Sequence, residues 1–179
     1  MENSKIIKIA VIGPESTGKS TLCEQLALHY QTIFVPEYAR HYFKKKNIDD
    51  YSLNDVETIY VHQIENEKKA IKIANKFLFC DTSLITGKIW GLEDFKKVPA
   101  FVSGNITKVT YDLYLLTNNE VDWKKDSLRK NPHNREHIFS RNIEELELLK
   151  ASYKVIEGIN EQRLQNAIKH IDKLFNEQK

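Results

Sequence analysis

An α/β fold, a parallel sheet of about five strands sandwiched in three layers between helices, is predicted by three features of this chain. Short apolar runs recur at residues 6–12, 33–35, 77–80, 111–116 and 153–156. Longer stretches with helical spacing separate them, the alternation of parallel strands with crossover helices. Between the first run and the first amphipathic stretch lies Gly13-Pro14-Glu15-Ser16-Thr17-Gly18-Lys19-Ser20, a complete G-x-x-x-x-G-K-S loop in strand–loop–helix context.

Each element carries its own signal. Residues 19–30 place Leu22, Leu26 and Tyr30 on one face, which predicts a core-facing helix. Ser52-Leu53-Asn54-Asp55 reads as a capping box that opens a long helix through Val56, Ile59, Ile64 and Ile71. Near the C-terminus Leu164, Ala167, Ile168, Ile171, Leu174 and Phe175 repeat at helical steps and predict a second core-facing helix. Residues 118–141 are crowded with charges and nearly without aliphatics until Ile138, so they read as a mobile, solvent-facing lid. At 179 residues the chain is expected to form one domain, 1–179, with no internal repeat.

Composition narrows the function. The formal charge of +2, from 27 basic and 25 acidic side chains, gives no global field to draw in nucleic acid or an anionic membrane. Cys23 and Cys80 lack metal-ligand spacing and read as buried, reduced thiols. No secretory signal and no apolar run of bilayer length are present, so a cytoplasmic protein is expected. The histidines His29, His41, His62, His133, His137 and His170 show no metal-ligand pattern and read as surface or lid residues.

The loop predicts a nucleoside triphosphate site. Glycines let backbone N–H groups turn inward around phosphates, a lysine reaches phosphate oxygens, and a hydroxyl ligates Mg²⁺. Gly13, Pro14, Glu15, Ser16, Thr17, Gly18, Lys19, Ser20 and Thr21 form the expected nucleotide-binding set, with ATP and Mg²⁺ as cofactors. Asp81 ends the third apolar run as a Walker-B aspartate would, and with Ser20 it is the Mg²⁺ candidate. It could also cap a helix starting near Ser83.

In an open parallel sheet, ligands bind beyond the carboxyl ends of the strands. There the second run leads into Pro36-Glu37-Tyr38-Ala39-Arg40. Glu37 reads equally well as a helix-start residue and as a holder of an acceptor hydroxyl, for which a carboxylate of ordinary basicity suffices. In the charged segment, Arg129 and then Arg135 are candidates for a lid arginine that stabilises a transferring phosphoryl group. After the fourth run, Thr117-Asn118-Asn119-Glu120 lacks the guanine-reading N-K-x-D pattern, which disfavours a Ras-type GTPase. The length disfavours an AAA+ motor with a helical subdomain, and the composition a nucleic-acid reader.

These residues resemble a known family, the ribosylnicotinamide kinase domain of the bacterial NAD-biosynthesis regulator NadR and its stand-alone AAA-like ATPase relatives. The resemblance rests on the phosphate loop, Glu37-Tyr38-Ala39-Arg40, Cys80-Asp81-Thr82, Leu115-Leu116-Thr117-Asn118-Asn119 and Asp126-Ser127-Leu128-Arg129. It implies a P-loop nucleoside-kinase fold with a lid, and ATP-dependent phosphorylation of the 5′-hydroxyl of nicotinamide riboside. Lys19, Asp81, Glu37, Arg129 and Arg135 are then expected at the chemistry. Glu37, Tyr38, Arg40 and Trp123 are expected at the nucleoside, with Trp123 resembling an aromatic that stacks on the nicotinamide. Two rivals stay open: a regulatory P-loop ATPase acting through a protein partner, and a kinase for another nucleoside or nucleotide.

Overall fold

The computed structural model describes residues 5–124 and 132–175. In chain order these form β1 (Ile7–Ile12), α1 (Lys19–His29), β2 (Ile33–Val35), α2 (Tyr38–Tyr42), α3 (Leu53–Ala70), β3 (Phe77–Asp81), α4 (Leu84–Phe95) and α5 (Ala100–Asn105). They continue with β4 (Leu113–Thr117), a 3₁₀ turn at Pro132–Asn134, α6 (Arg135–Leu148), β5 (Tyr153–Ile156) and α7 (Asn160–Phe175). All five strands are parallel, in the order β2-β3-β1-β4-β5. The central strand β1 therefore has β3 on one side and β4 on the other, and its carboxyl end is the switch point at which a ligand crevice opens.

Two-residue alternation along the strands builds two cores. Ile9, Val11, Phe77, Phe79, Leu113 and Leu115 face α1 and α7, where Leu22, Leu26, Ala167 and Ile171 meet them. Ala10, Ile12, Leu78, Cys80 and Leu116 face the other way, against Ile85, Ile89 and Leu146 of α4 and α6. A third cluster joins α3, α4 and α5 through Val56, Ile59, Tyr60, Leu84 and Val102. Helices cover both faces of the sheet, as the sequence predicted.

Start signals hold at two helices. Ser52 and Asp55 form the reciprocal capping box of α3. Ser83 caps α4 by accepting from Ile85 N–H at 3.2 Å. Gly87 permits the close approach of α4 to α3, because a Cβ there would fall 2.7 Å from the Tyr60 ring.

The lid departs from expectation. Residues 135–141 are the first half of α6, where Ile138 and Phe139 pack against the second core. Ile138 and Phe139 share one face of α6 with Ile143 and Leu146 beyond the segment, and that face packs on the second core while the opposite face stays exposed. Asn119 and Val121 are tied to α6 by Arg135, whose Nη2 donates to both carbonyls at 3.1 and 2.7 Å. Arg129 and its neighbours lie outside the described residues. Among the described residues, no helix is long and apolar enough to cross a membrane.

Candidate active site

The β1–α1 loop is fixed both by the end of β4 and by its own side chains. Gly13 has φ +138°, and a Cβ there would come within 2.5 Å of Thr117 Oγ1. Only glycine lets the loop turn this closely over β4. Thr17 Oγ1 donates to Pro14 O at 2.8 Å and meets Thr117 Oγ1 at 2.6 Å, which fastens the loop to the end of β4. Lys19 Nζ folds back onto the loop, donating to Gly13 O at 3.0 Å and Pro14 O at 2.7 Å. An ammonium held this way sits over the concavity into which the loop amides can point.

All nine predicted nucleotide-binding residues, from Gly13 to Thr21, line one cleft of about 490 Å³. Glu37, Arg40 and Arg135 line the same cleft. Asp81 lies directly beneath it, buried, with Oδ2 accepting from Ser20 Oγ at 2.5 Å. Its Oδ1 is buried without a hydrogen-bond partner among the described residues. Because Ser83 caps α4, Asp81 does no capping there. Burial raises its pKa, opposed first by Lys19. A buried carboxylate with an open oxygen, beside a hydroxyl at the phosphate loop, is a donor set that fits Mg²⁺.

Glu37 occupies the N-cap position of α2, yet its side chain caps nothing, and Pro36 lies before the cap rather than in the first turn. Its carboxylate pairs with Arg40 Nε at 3.6 Å and is 23% exposed, at the cleft. Burial first and Asp81 second push its pKa up to about 7, against the opposing pull of Lys19 and Arg40. The ordinary basicity expected from the sequence is thus corrected upward: two carboxylates share one partly desolvated corner.

Two predicted substrate contacts fall elsewhere. Tyr38 turns toward α3, its N–H donating to Gln63 Oε1 at 2.8 Å and its ring 4.9 Å from that of His62. Trp123 is absent from the cleft wall. The chain on either side of it is held at the phosphate loop, where Lys124 N–H donates to Ser16 Oγ at 2.8 Å and Ser16 Oγ to Asp122 O at 3.4 Å. The aromatic wall of the cleft is made instead by Phe43, Tyr51 and Trp90. The rings of Tyr51 and Trp90 are 5.5 Å apart, and Phe43 stands edge-on to Tyr51 at 5.7 Å. Trp90 Nε1 donates to Tyr51 Oη at 2.7 Å and to Asp94 Oδ2 at 3.0 Å, and Tyr51 Oη donates to Asp94. Glu93 adds a second carboxylate to this wall. A sequence signal existed in the pairing of Trp90 with Asp94, one helical turn apart in α4.

The chain matches the AAA_28 family model, described as AAA domain, over residues 8–163. It belongs to that family. It is 33% identical over 124 residues to the trifunctional NAD biosynthesis/regulator protein NadR of Salmonella typhimurium, and equally so to that of Escherichia coli. The matched region is 68% of this chain and 30% of either relative, so the chain spans about a third of the curated relatives it matches. Among solved structures, NadR protein in complex with NR superposes with a TM-score of 0.83 at 23% identity, covering 94% of this chain and 51% of that one. NadR in complex with NAD and AMP-PNP gives 0.79 at 20% identity over 94% and 49%. Deoxyadenosine kinase from M. mycoides with bound dCTP gives 0.61 at 12% identity over 93% and 100%. The fold is that of the P-loop nucleoside kinases.

Proposed function

We propose that this AAA-domain family member is an ATP-dependent kinase that phosphorylates the 5′-hydroxyl of nicotinamide riboside, giving the mononucleotide. The observation that carries this reading is the continuity of one cleft. The phosphate loop, Glu37 and the Tyr51–Trp90–Asp94 wall all line it. Similarity to NadR, a protein solved with NR, supports the acceptor.

The aromatic wall suits a cationic aromatic ring. Indole and phenol faces attract a pyridinium through their quadrupoles, worth about 0.5–2 kcal/mol, and Asp94 and Glu93 add negative charge beside them. Glu37 orients the acceptor hydroxyl and takes its proton as the new P–O bond forms and the bond from the γ-phosphorus to the bridging oxygen breaks to release ADP, a role suited to a carboxyl whose pKa is about 7. Lys19 bears on the phosphate oxygens after leaving the Gly13 and Pro14 carbonyls. Ser20 and Asp81 would hold Mg²⁺, which when bound neutralises charge on the phosphates. Arg129 and Arg135 are the lid cations of this reading, and Arg40 steadies Glu37. A cytoplasmic setting accompanies it, with Cys23 and Cys80 buried as free thiols. No nucleic acid or membrane enters the scheme.

The test is ADP formation with Mg²⁺ and ATP across a panel of nucleosides. Nicotinamide riboside should give the highest kcat/KM. A higher value for a neutral nucleoside would move the assignment to another kinase, and phosphate release independent of any nucleoside would favour a regulatory ATPase.

A further inference from the structure

Arg163 lies in the first turns of α7 and is only 4% exposed. A cation near a helix N-terminus opposes the helix dipole, and burying a guanidinium carries a desolvation penalty. Its apolar neighbours on α7, Ala167 and Ile168, belong to the core, where an aliphatic side chain would pack without that penalty. The guanidinium is instead spent on three separate loops. Nη1 donates to Thr17 O in the phosphate loop, Nε to Gly158 O after β5 at 2.6 Å, and Nη2 to Asn118 Oδ1 after β4 at 2.7 Å.

We propose that Arg163 is a positioning residue of the nucleotide site, a latch that sets the Thr17–Gly18 peptide so that the Gly18 N–H faces the bound phosphates. A trans peptide carries its C=O and N–H on opposite sides. With the Thr17 carbonyl drawn toward α7, the Gly18 N–H turns the other way, into the loop. Gly18 itself has φ +77°, and a Cβ built there would be 3.8 Å from Arg163 Nη1, so the guanidinium lies against the residue whose amide it aims. Glycine has no intrinsic preference between the two signs of φ, so the loop needs an outside restraint at this point. Thr17 Oγ1 restrains the preceding side chain through Pro14 and Thr117, but only Arg163, among the hydrogen bonds of the described residues, holds the Thr17 carbonyl.

This inference rests on the nucleotide-binding half of the proposed function and is independent of the acceptor. Isothermal titration of the full chain with ATP and Mg²⁺, without acceptor, tests it. Arg163→Met should weaken ATP binding about 10- to 100-fold at unchanged stoichiometry, the size expected when charge-assisted hydrogen bonds that orient a donor are lost. Arg163→Lys keeps the charge and one donor and should fall between wild type and Arg163→Met. A role in packing alone predicts the opposite split: a lower melting temperature or a lower stoichiometry at the wild-type Kd, and that result overturns the latch. If Arg163→Met does not fold, Arg163→Lys decides, and a wild-type Kd for it overturns the proposal. Wild-type protein that bound no ATP would overturn the nucleotide site and the latch together. The predicted Kd pattern in a protein that does not phosphorylate nicotinamide riboside would sustain the latch while removing the acceptor.

Discussion

Ser20 Oγ donates to Asp81 Oδ2 at 2.5 Å, joining the last residue of the phosphate loop to the last residue of β3. The second Asp81 oxygen is buried and unpartnered among the described residues. In Asp81→Asn an amide replaces the anionic oxygens that would face Mg²⁺. Turnover with Mg²⁺ should fall by about 100-fold or more, while nucleotide affinity without Mg²⁺ changes by about threefold or less, since only the metal-dependent term is removed. Steady-state kinetics beside Mg²⁺-free titration measure the two, and equal losses would reduce Asp81 to a structural partner of Ser20.

Glu37 predicts a pH-dependent stability. The folded protein holds its proton up to about pH 7, whereas the ordinary carboxyl value is 4.5. Ionising Glu37 therefore destabilises the fold, an effect absent below pH 4.5 and complete above pH 7. Glu37→Gln should gain about 1–3 kcal/mol at pH 8, allowing for partial screening at the cleft, and nothing at pH 4.5. Denaturant melts across this range read the difference. A gain that did not vary with pH would contradict the shifted carboxyl.

Trp90→Leu removes the indole face and its two hydrogen bonds at the aromatic wall of the cleft. The KM for nicotinamide riboside should rise by about 3- to 30-fold, the range a cation–π contact supplies, with ATP affinity unchanged. Competition by a neutral nucleoside is the control. An equal loss for both ligands would leave the wall as an apolar surface with no selectivity for charge.

The two arginines proposed as lid cations separate by size. Arg135 already serves the Asn119 and Val121 carbonyls, so Arg135→Ala should lower kcat by about tenfold or less through lid disorder. Arg129→Ala should lower it by about 10³ or more if that guanidinium meets the transferring phosphoryl group. Comparable, mild losses in pre-steady-state phosphoryl transfer would remove the arginine from the mechanism.

The parallel five-stranded sheet and the place of the phosphate loop in it were legible because both follow from strong local patterns, whereas the strand order was not read from the sequence. The loop Gly13 to Ser20 sits where β1 meets α1, and Asp81 ends β3 beside it. The aromatic wall was not legible. Phe43 and Tyr51 lie between α2 and α3, whereas Trp90 lies 39 residues beyond Tyr51 in α4, and each alone looks like an ordinary core aromatic until α3 and α4 pack. Trp123 was singled out by resemblance, as an aromatic of the lid, but Ser16 holds the chain on either side of it at the phosphate loop. Arg163 was hidden by its own helix, since one cation among three, with Lys169 and Lys173, in an amphipathic stretch reads as a solvated position. Glu37 was found as a residue but not in its acidity, which comes first from burial and then from Asp81 at the end of the neighbouring strand.

The central claim is phosphoryl transfer to a nucleoside within this one cleft, and the fate of the γ-phosphoryl group tests it most directly. With γ-labelled ATP, Mg²⁺ and nicotinamide riboside, label should appear in nicotinamide mononucleotide one for one with ADP. The same mixture with Lys19→Ala, whose side chain bridges Gly13 and Pro14 in the phosphate loop, should yield none above background. Label recovered as inorganic phosphate at the same rate with or without the nucleoside would contradict the account.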